Sequence, residues 1–199
     1  IESLKQIDLN WFFLIPPKSN DTFNSALLQC TIVSSIKTVI RSIGPTLIIT
    51  LSPFIKEELE PLLDDWNWNG SVDEFLAYWF KSEHSIDEPL IEEVKKLQNK
   101  NIKCYIVTNQ EKYRTAYIIN KMGFANIFDG IFSSADVGYM KPQHEFFLDV
   151  LDKIQIPAGE VLFVDDTVGH IESAKELGMK TILYTDSKNY NNAIAQLFT

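Results

Sequence analysis

From residue 88 onward the apolar pattern switches repeatedly between helical periodicity and short runs of branched residues, and few folds accommodate that alternation. In 88–100, Leu90, Ile91, Val94 and Leu97 share one helical face. Residues 102–107 then form a compact apolar run, predicting a strand. The pattern predicts a helix over 110–122 that stops at Gly123. It continues with a strand at 130–132, a helix over 142–154 with Pro142 in its first turn, a strand at 161–164, a helix over 171–177 closed by Gly178, a strand at 181–184 and a last helix over 189–198. Strands separated by helices of this length imply crossover connections and a parallel sheet, hence an α/β, Rossmann-like core. In such sheets ligands bind beyond the carboxyl ends of the strands.

The first half reads differently. Residues 4–9 form one candidate strand. From about Thr22 to Phe80 the patterns are mainly helical, broken by turn signals at Gly44-Pro45, Ser52-Pro53 and Asn69-Gly70. Helical runs at 55–63 and 72–79 suggest a small bundle. A connection this long after a first strand exceeds an ordinary loop. We therefore expect a core domain of residues 1–15 and 88–199, with a helical cap at 16–87 inserted into it.

Composition narrows the chemistry. The 199 residues carry 45% hydrophobic and 23% charged side chains, as a globular protein does, and a net charge of −9. That charge disfavours partners with phosphate backbones or anionic lipid surfaces, so neither nucleic acid nor membrane is expected. No apolar stretch is long enough to span a bilayer. Cys30 and Cys104 form neither a disulfide framework nor a metal motif, which suggests a reducing, cytoplasmic setting. The chain begins without Met and without a signal-peptide pattern, so a few residues are expected to be missing before Ile1.

The strand ends carry the reactive groups. Asp8 ends the first candidate strand, Thr108 and Asn109 end the second, Lys141 follows the third, and Asp165 and Asp166 end the fourth. Parallel strands would bring all of them to one edge. Two adjacent acids at a strand end repel each other, so a bound cation explains Asp165-Asp166 better than helix capping by Asp166 or Thr167. Thr108-Asn109 also suits capping of the next helix. His84, His144 and His170 show no metal-ligand spacing and are read as surface residues or as supports behind the site. Trp66, Trp68, Tyr78, Trp79 and Phe80 are most simply the core of the helical insert, with Trp66 or Trp68 able to face the pocket.

The segments IDLN, IVTNQ, GYMKPQHEFF and VLFVDDTVGHIESAKELGM resemble, in order, the four motifs of the haloacid dehalogenase-like (HAD) superfamily, and NGSVDEFLAYWF is similar to cap helices of its sugar-phosphate phosphatases. The resemblance implies a Mg²⁺-dependent hydrolase of a small phosphorylated metabolite, such as a sugar phosphate or a nucleotide-like ester. Asp8 would be the nucleophile that forms an aspartyl-phosphate. Thr108, beside Asn109, would hold phosphoryl oxygens, and Lys141 would neutralise charge. Asp8, the Asn10 carbonyl, Asp165 and Asp166 would hold Mg²⁺. Asn10 stands where this superfamily usually has a general acid, and an amide exchanges no proton near neutral pH. Trp11 and Phe12 replace small residues, and His170 stands where many relatives carry Asn. These departures leave open a weak or inactive pseudoenzyme or binding module. So does a second register, with Thr50 and Ser52 of TLIITLSPF in the acid positions. A metal-independent 2-haloacid dehalogenase fits Asp165-Asp166 less well.

Overall fold

A computed structural model describes residues 13–15, 30–31, 55–64, 68–82, 84 and 86–197. Its elements are β1 (Phe13–Ile15), β2 (Cys30–Thr31), α1 (Ile55–Leu59), α2 (Val72–Ser82), α3 (Glu88–Gln98), β3 (Lys103–Thr108) and α4 (Lys112–Asn120), then β4 (Gly130–Ser133), α5 (Ser134–Val137), α6 (His144–Ile154), β5 (Leu162–Asp165), α7 (Val168–Glu176), β6 (Lys180–Leu183) and α8 (Ser187–Leu197). The strands order β4-β3-β1-β5-β6, with β2 paired to β1.

The expected parallel pairs form: β3 with β4 and β5 with β6. Between them β1 runs antiparallel to both β3 and β5, which helix–strand alternation in the second half did not predict. β2 also joins the sheet, although a mainly helical pattern was expected around it. The 4–9 strand and the second register at 46–54 lie outside the described residues.

Strand geometry explains the layers. Successive side chains point to opposite faces. Cys104, Ile106, Leu162 and Val164 pack with α3, α4 and α8, while Tyr105, Val107 and Phe163 pack with α6 and α7. Helices thus cover both faces, and strands buried twice read as continuous apolar runs rather than alternating ones. Phe147 joins the second layer by edge-on contacts, with ring centroids 5.7 Å from Phe146 and 5.1 Å from Phe163.

A smaller cluster lies apart. Ile55, Leu59, Leu63, Val72, Leu76 and Phe80 bury one another, with Trp68, Phe75 and Trp79 at the margin and Tyr113 and Tyr117 of α4 packed against them. This is the helical core expected from the aromatic-rich run. Trp68 belongs to it, and Trp66 lies outside the described residues.

Several boundaries shift. Pro142 is not in a helix: Gln143 has extended dihedrals, its N–H closes a turn onto the Met140 carbonyl, and α6 starts at His144. α7 starts earlier than expected, at Val168. The loop before Lys141 holds the four-residue α5, capped by Ser133. Gly123 and Gly178 fulfil their stop roles with φ of 74° and 87°, values that an L side chain rarely adopts.

Candidate active site

Thr108 and Asp165 are the last residues of β3 and β5, and β1 lies between these strands. At about 4.8 Å per strand the two ends lie about 10 Å apart. Lys141 spans that gap. Its backbone is clamped at the β3 end: Asn109 Nδ2 donates to the Lys141 carbonyl (2.9 Å), and the Lys141 N–H donates to Asn109 Oδ1 (2.9 Å). Its Nζ reaches the β5 end and donates to Asp165 Oδ2 at 2.8 Å. A four-carbon stem is what such a bridge requires.

The bridge is dry, with Lys141 1% and Asp165 0% exposed. Burial pushes the Lys141 ammonium below the ordinary lysine range, against the pull of Asp165. Burial of Asp165 favours its neutral form, but Lys141 and His170 outweigh it and hold the carboxyl below the usual carboxylate range. Asp165 is therefore an anion at neutral pH.

His170 supplies the second contact. Its Nδ1 lies 3.1 Å from each Asp165 oxygen, and an ionised carboxylate only accepts, so Nδ1 carries the proton. The Thr167 N–H also donates to Asp165 Oδ1, at 2.8 Å. His170 thus proves to be a buried support rather than a surface residue. Its position on the first turn of α7 was the signal, because that turn folds back over the end of β5. His84 and His144 serve elsewhere, beside the Tyr117 hydroxyl (2.9 Å) and Glu176 (3.0 Å) respectively.

Asn109 does not cap α4. Glu111 does, accepting from the Tyr113 and Arg114 N–H groups. Burial raises the Glu111 carboxyl above its ordinary value against those two bonds. Thr167 occupies the α7 cap position but makes no side-chain cap bond; its hydroxyl donates to Asp166 Oδ1 at 3.0 Å. Asp166 is half-buried, beside the filled Asp165.

Thr108, Asn109, Lys141, Asp165 and Asp166 therefore gather at the carboxyl edge. Asp8 and Asn10 lie outside the described residues. Among the described residues no group of three His, Cys, Asp or Glu side chains could hold a metal by itself. Cys104 is a buried free thiol whose ionisation burial suppresses, and no described helix is long and apolar enough to cross a membrane.

A drimenol cyclase of Aspergillus calidoustus is 31% identical over 108 residues, 54% of this chain and 20% of its own length. A sesquiterpene phosphatase of Aspergillus oryzae is 34% identical over 95 residues, 47% of this chain and 48% of that protein. The chain thus spans between a fifth and a half of the length of these relatives. A HAD family enzyme of Bacteroides thetaiotaomicron, solved with magnesium and inorganic phosphate, has a similar fold, with a TM-score of 0.61 and 16% identity over 83% of this chain and 98% of that one. The haloacid dehalogenase-like hydrolase model matches residues 18–184, beginning after Asp8 and Asn10 and spanning every described group of the site. The chain belongs to the haloacid dehalogenase-like hydrolase family.

Proposed function

We propose that this chain hydrolyses small phosphomonoesters. The observation that carries the reading is the buried Lys141–Asp165 bridge between two strand ends, with the Thr108 hydroxyl held beside it at the end of β3, buried and without a partner. A phosphoryl group needs a fixed cation and pre-aligned donors in a dry setting, where they act far more strongly than in water.

The roles follow from these contacts. Asn109 holds the Lys141 backbone, and Asp165 aims the amine and keeps it charged, so Lys141 faces the phosphoryl oxygens and the attacking carboxylate. Thr108 donates to a phosphoryl oxygen. Asp8 is the proposed nucleophile, forming a P–O bond as the ester oxygen leaves; water then attacks the aspartyl-phosphate and releases phosphate. Asn10 supplies no proton to the leaving group. The adjacent carboxylates suit Mg²⁺, which takes oxygen donors, often only one or two carboxylates plus phosphate and water. The proposed set is Asp8, Asn10, Asp165 and Asp166; both Asp165 oxygens already accept hydrogen bonds, and the half-buried Asp166 accepts one from the Thr167 hydroxyl. Bound there, Mg²⁺ would offset the negative charge between carboxylate and phosphate. Helices α1 and α2 are the described helices of the proposed cap at 16–87, which would sit over the 1–15 and 88–199 core; within 16–87, β2 pairs instead with the core sheet.

Sugar phosphates and nucleotide-like esters remain candidate substrates. The sesquiterpene phosphatase relative adds terpenyl phosphates. The test is Mg²⁺-dependent hydrolysis of an aryl phosphate, followed by that panel. Wild type should turn over the aryl ester, and Lys141→Met should lose about 10³-fold or more in kcat/KM, as for loss of a strong oxyanion contact. Equal rates in both proteins would refute the assignment. One observation favours a second reading, a phosphate-binding protein with little turnover: the family match starts beyond Asp8 and Asn10. Phosphate binding without hydrolysis of any ester would select it.

A further inference from the structure

We infer that Gln110 is a second hydrogen-bond donor to the phosphoryl oxyanion, acting beside Thr108; this rests on the phosphatase reading. Among the described residues three buried side-chain atoms lack a hydrogen-bond partner: Thr108 Oγ1, Gln110 Nε2 and Asp149 Oδ2. Asp149 Oδ2 has the Lys153 ammonium 2.6 Å away, so its charge is answered. The other two stand two residues apart at the end of β3, on side chains only 1% and 3% exposed.

The four polar residues 108–111 divide by turns. Asn109 is used up on the Lys141 backbone and Glu111 on the first N–H groups of α4. Thr108 and Gln110 serve no such purpose. Gln110 is nonetheless firmly held: its carbonyl accepts from Ser134 Oγ (3.1 Å) and from the Ala135 N–H (3.2 Å), pinning it to α5. The residue is anchored at its backbone carbonyl, while its side-chain Nε2 is unanswered. An amide N–H out of water with no acceptor carries an uncompensated desolvation cost, and such groups in native proteins call for an explanation. Turning the amide over would leave an oxygen unanswered instead. Two donors, one on the last residue of β3 and one two residues beyond it, flank the Asn109 that clamps the Lys141 backbone, and together they call for an acceptor-rich anion. A tetrahedral phosphoryl group has oxygens enough for both donors and for Lys141.

The test uses inorganic phosphate, with Mg²⁺ present, titrated into the whole chain and into Gln110→Met, and scored again as inhibition of aryl-phosphate hydrolysis. Loss of a hydrogen bond to a charged group should weaken phosphate about tenfold to a hundredfold. Without phosphate the Met variant should melt at the wild-type temperature or above it, because an unanswered polar atom has been replaced by an apolar one of similar length. Gln110→Glu should bind phosphate more weakly still, through like charge, and stands in if the Met variant does not fold. Phosphate affinity unchanged in both variants overturns the inference alone, as does a Met variant that melts lower without phosphate, since that marks a structural amide. A wild type that takes up no phosphate overturns the phosphatase reading, and this inference with it.

Discussion

The edge of the sheet and the helical layer beside it are held by different physics. At the edge, Lys141, Asp165 and His170 are charged or polar groups in a dry place: Lys141 is bonded to Asn109 and Asp165, 32 and 24 residues away, and His170 reaches Asp165 across five residues. In the α1–α2 layer, Phe80 meets Tyr117 edge to face with centroids 5.5 Å apart, the Arg114 guanidinium lies 4.3 Å from the Phe80 ring, and the Lys56 ammonium lies 4.4 Å from the Tyr113 ring. Ring contacts and cation–π contacts tolerate repacking, whereas a buried ion pair tolerates no missing partner. The strand-end groups are thus held rigidly, while the α1–α2 layer is freer to vary.

The sharpest way to break that contrast is to remove one charge. Asp165→Ala leaves the Lys141 ammonium buried without its counter-ion and should cost about 3–5 kcal/mol in denaturant unfolding. A cost below about 1 kcal/mol would show that the edge relaxes as easily as the aromatic layer. The same pair predicts a pH signature. The Asp165 carboxyl sits below the unfolded aspartate value of about 3.9, so the stability it contributes is fully present above that value and is lost as pH falls through the lower folded range. Asp165→Asn should flatten that acid limb.

Phe80→Ala sharpens the comparison from the other side. Removing this 4%-exposed ring should cost about 3 kcal/mol. Amide exchange should speed up in α2 while β3 and β5 stay protected. Equal loss of protection in the strands would make the two regions one cooperative unit. The smallest effect is expected where they meet. Glu111→Ala removes the α4 cap and should cost about 1 kcal/mol by thermal unfolding. No change would mean that α4 is held by Tyr113 and Tyr117 alone.

Legibility in the sequence follows the range of each interaction. The strand at Leu162–Asp165 and the helix at Glu88–Gln98 were readable because burial imposes a local period on apolar residues. That Thr108, Lys141 and Asp165 gather at one edge was readable because parallel strands send their carboxyl ends to the same side. The capping of α4 by Glu111 instead of Asn109 was not, since Asn109 is claimed by a backbone 32 residues away. Nor was the short α5, whose cap at Ser133 falls inside a segment that reads as loop.

By itself, then, the sequence determined the periodic elements of residues 88–197, the two-faced core and the identity of the strand-end groups, all consequences of neighbours in the chain. Only the tertiary structure decided that β1 lies antiparallel between β3 and β5 and that Lys141 bridges that gap to Asp165. It alone left Thr108 and Gln110 with buried atoms unanswered. The physical reason is distance along the chain. Hydrogen bonds and ion pairs between remote segments depend on how the layers meet, and no local pattern of residues encodes that meeting.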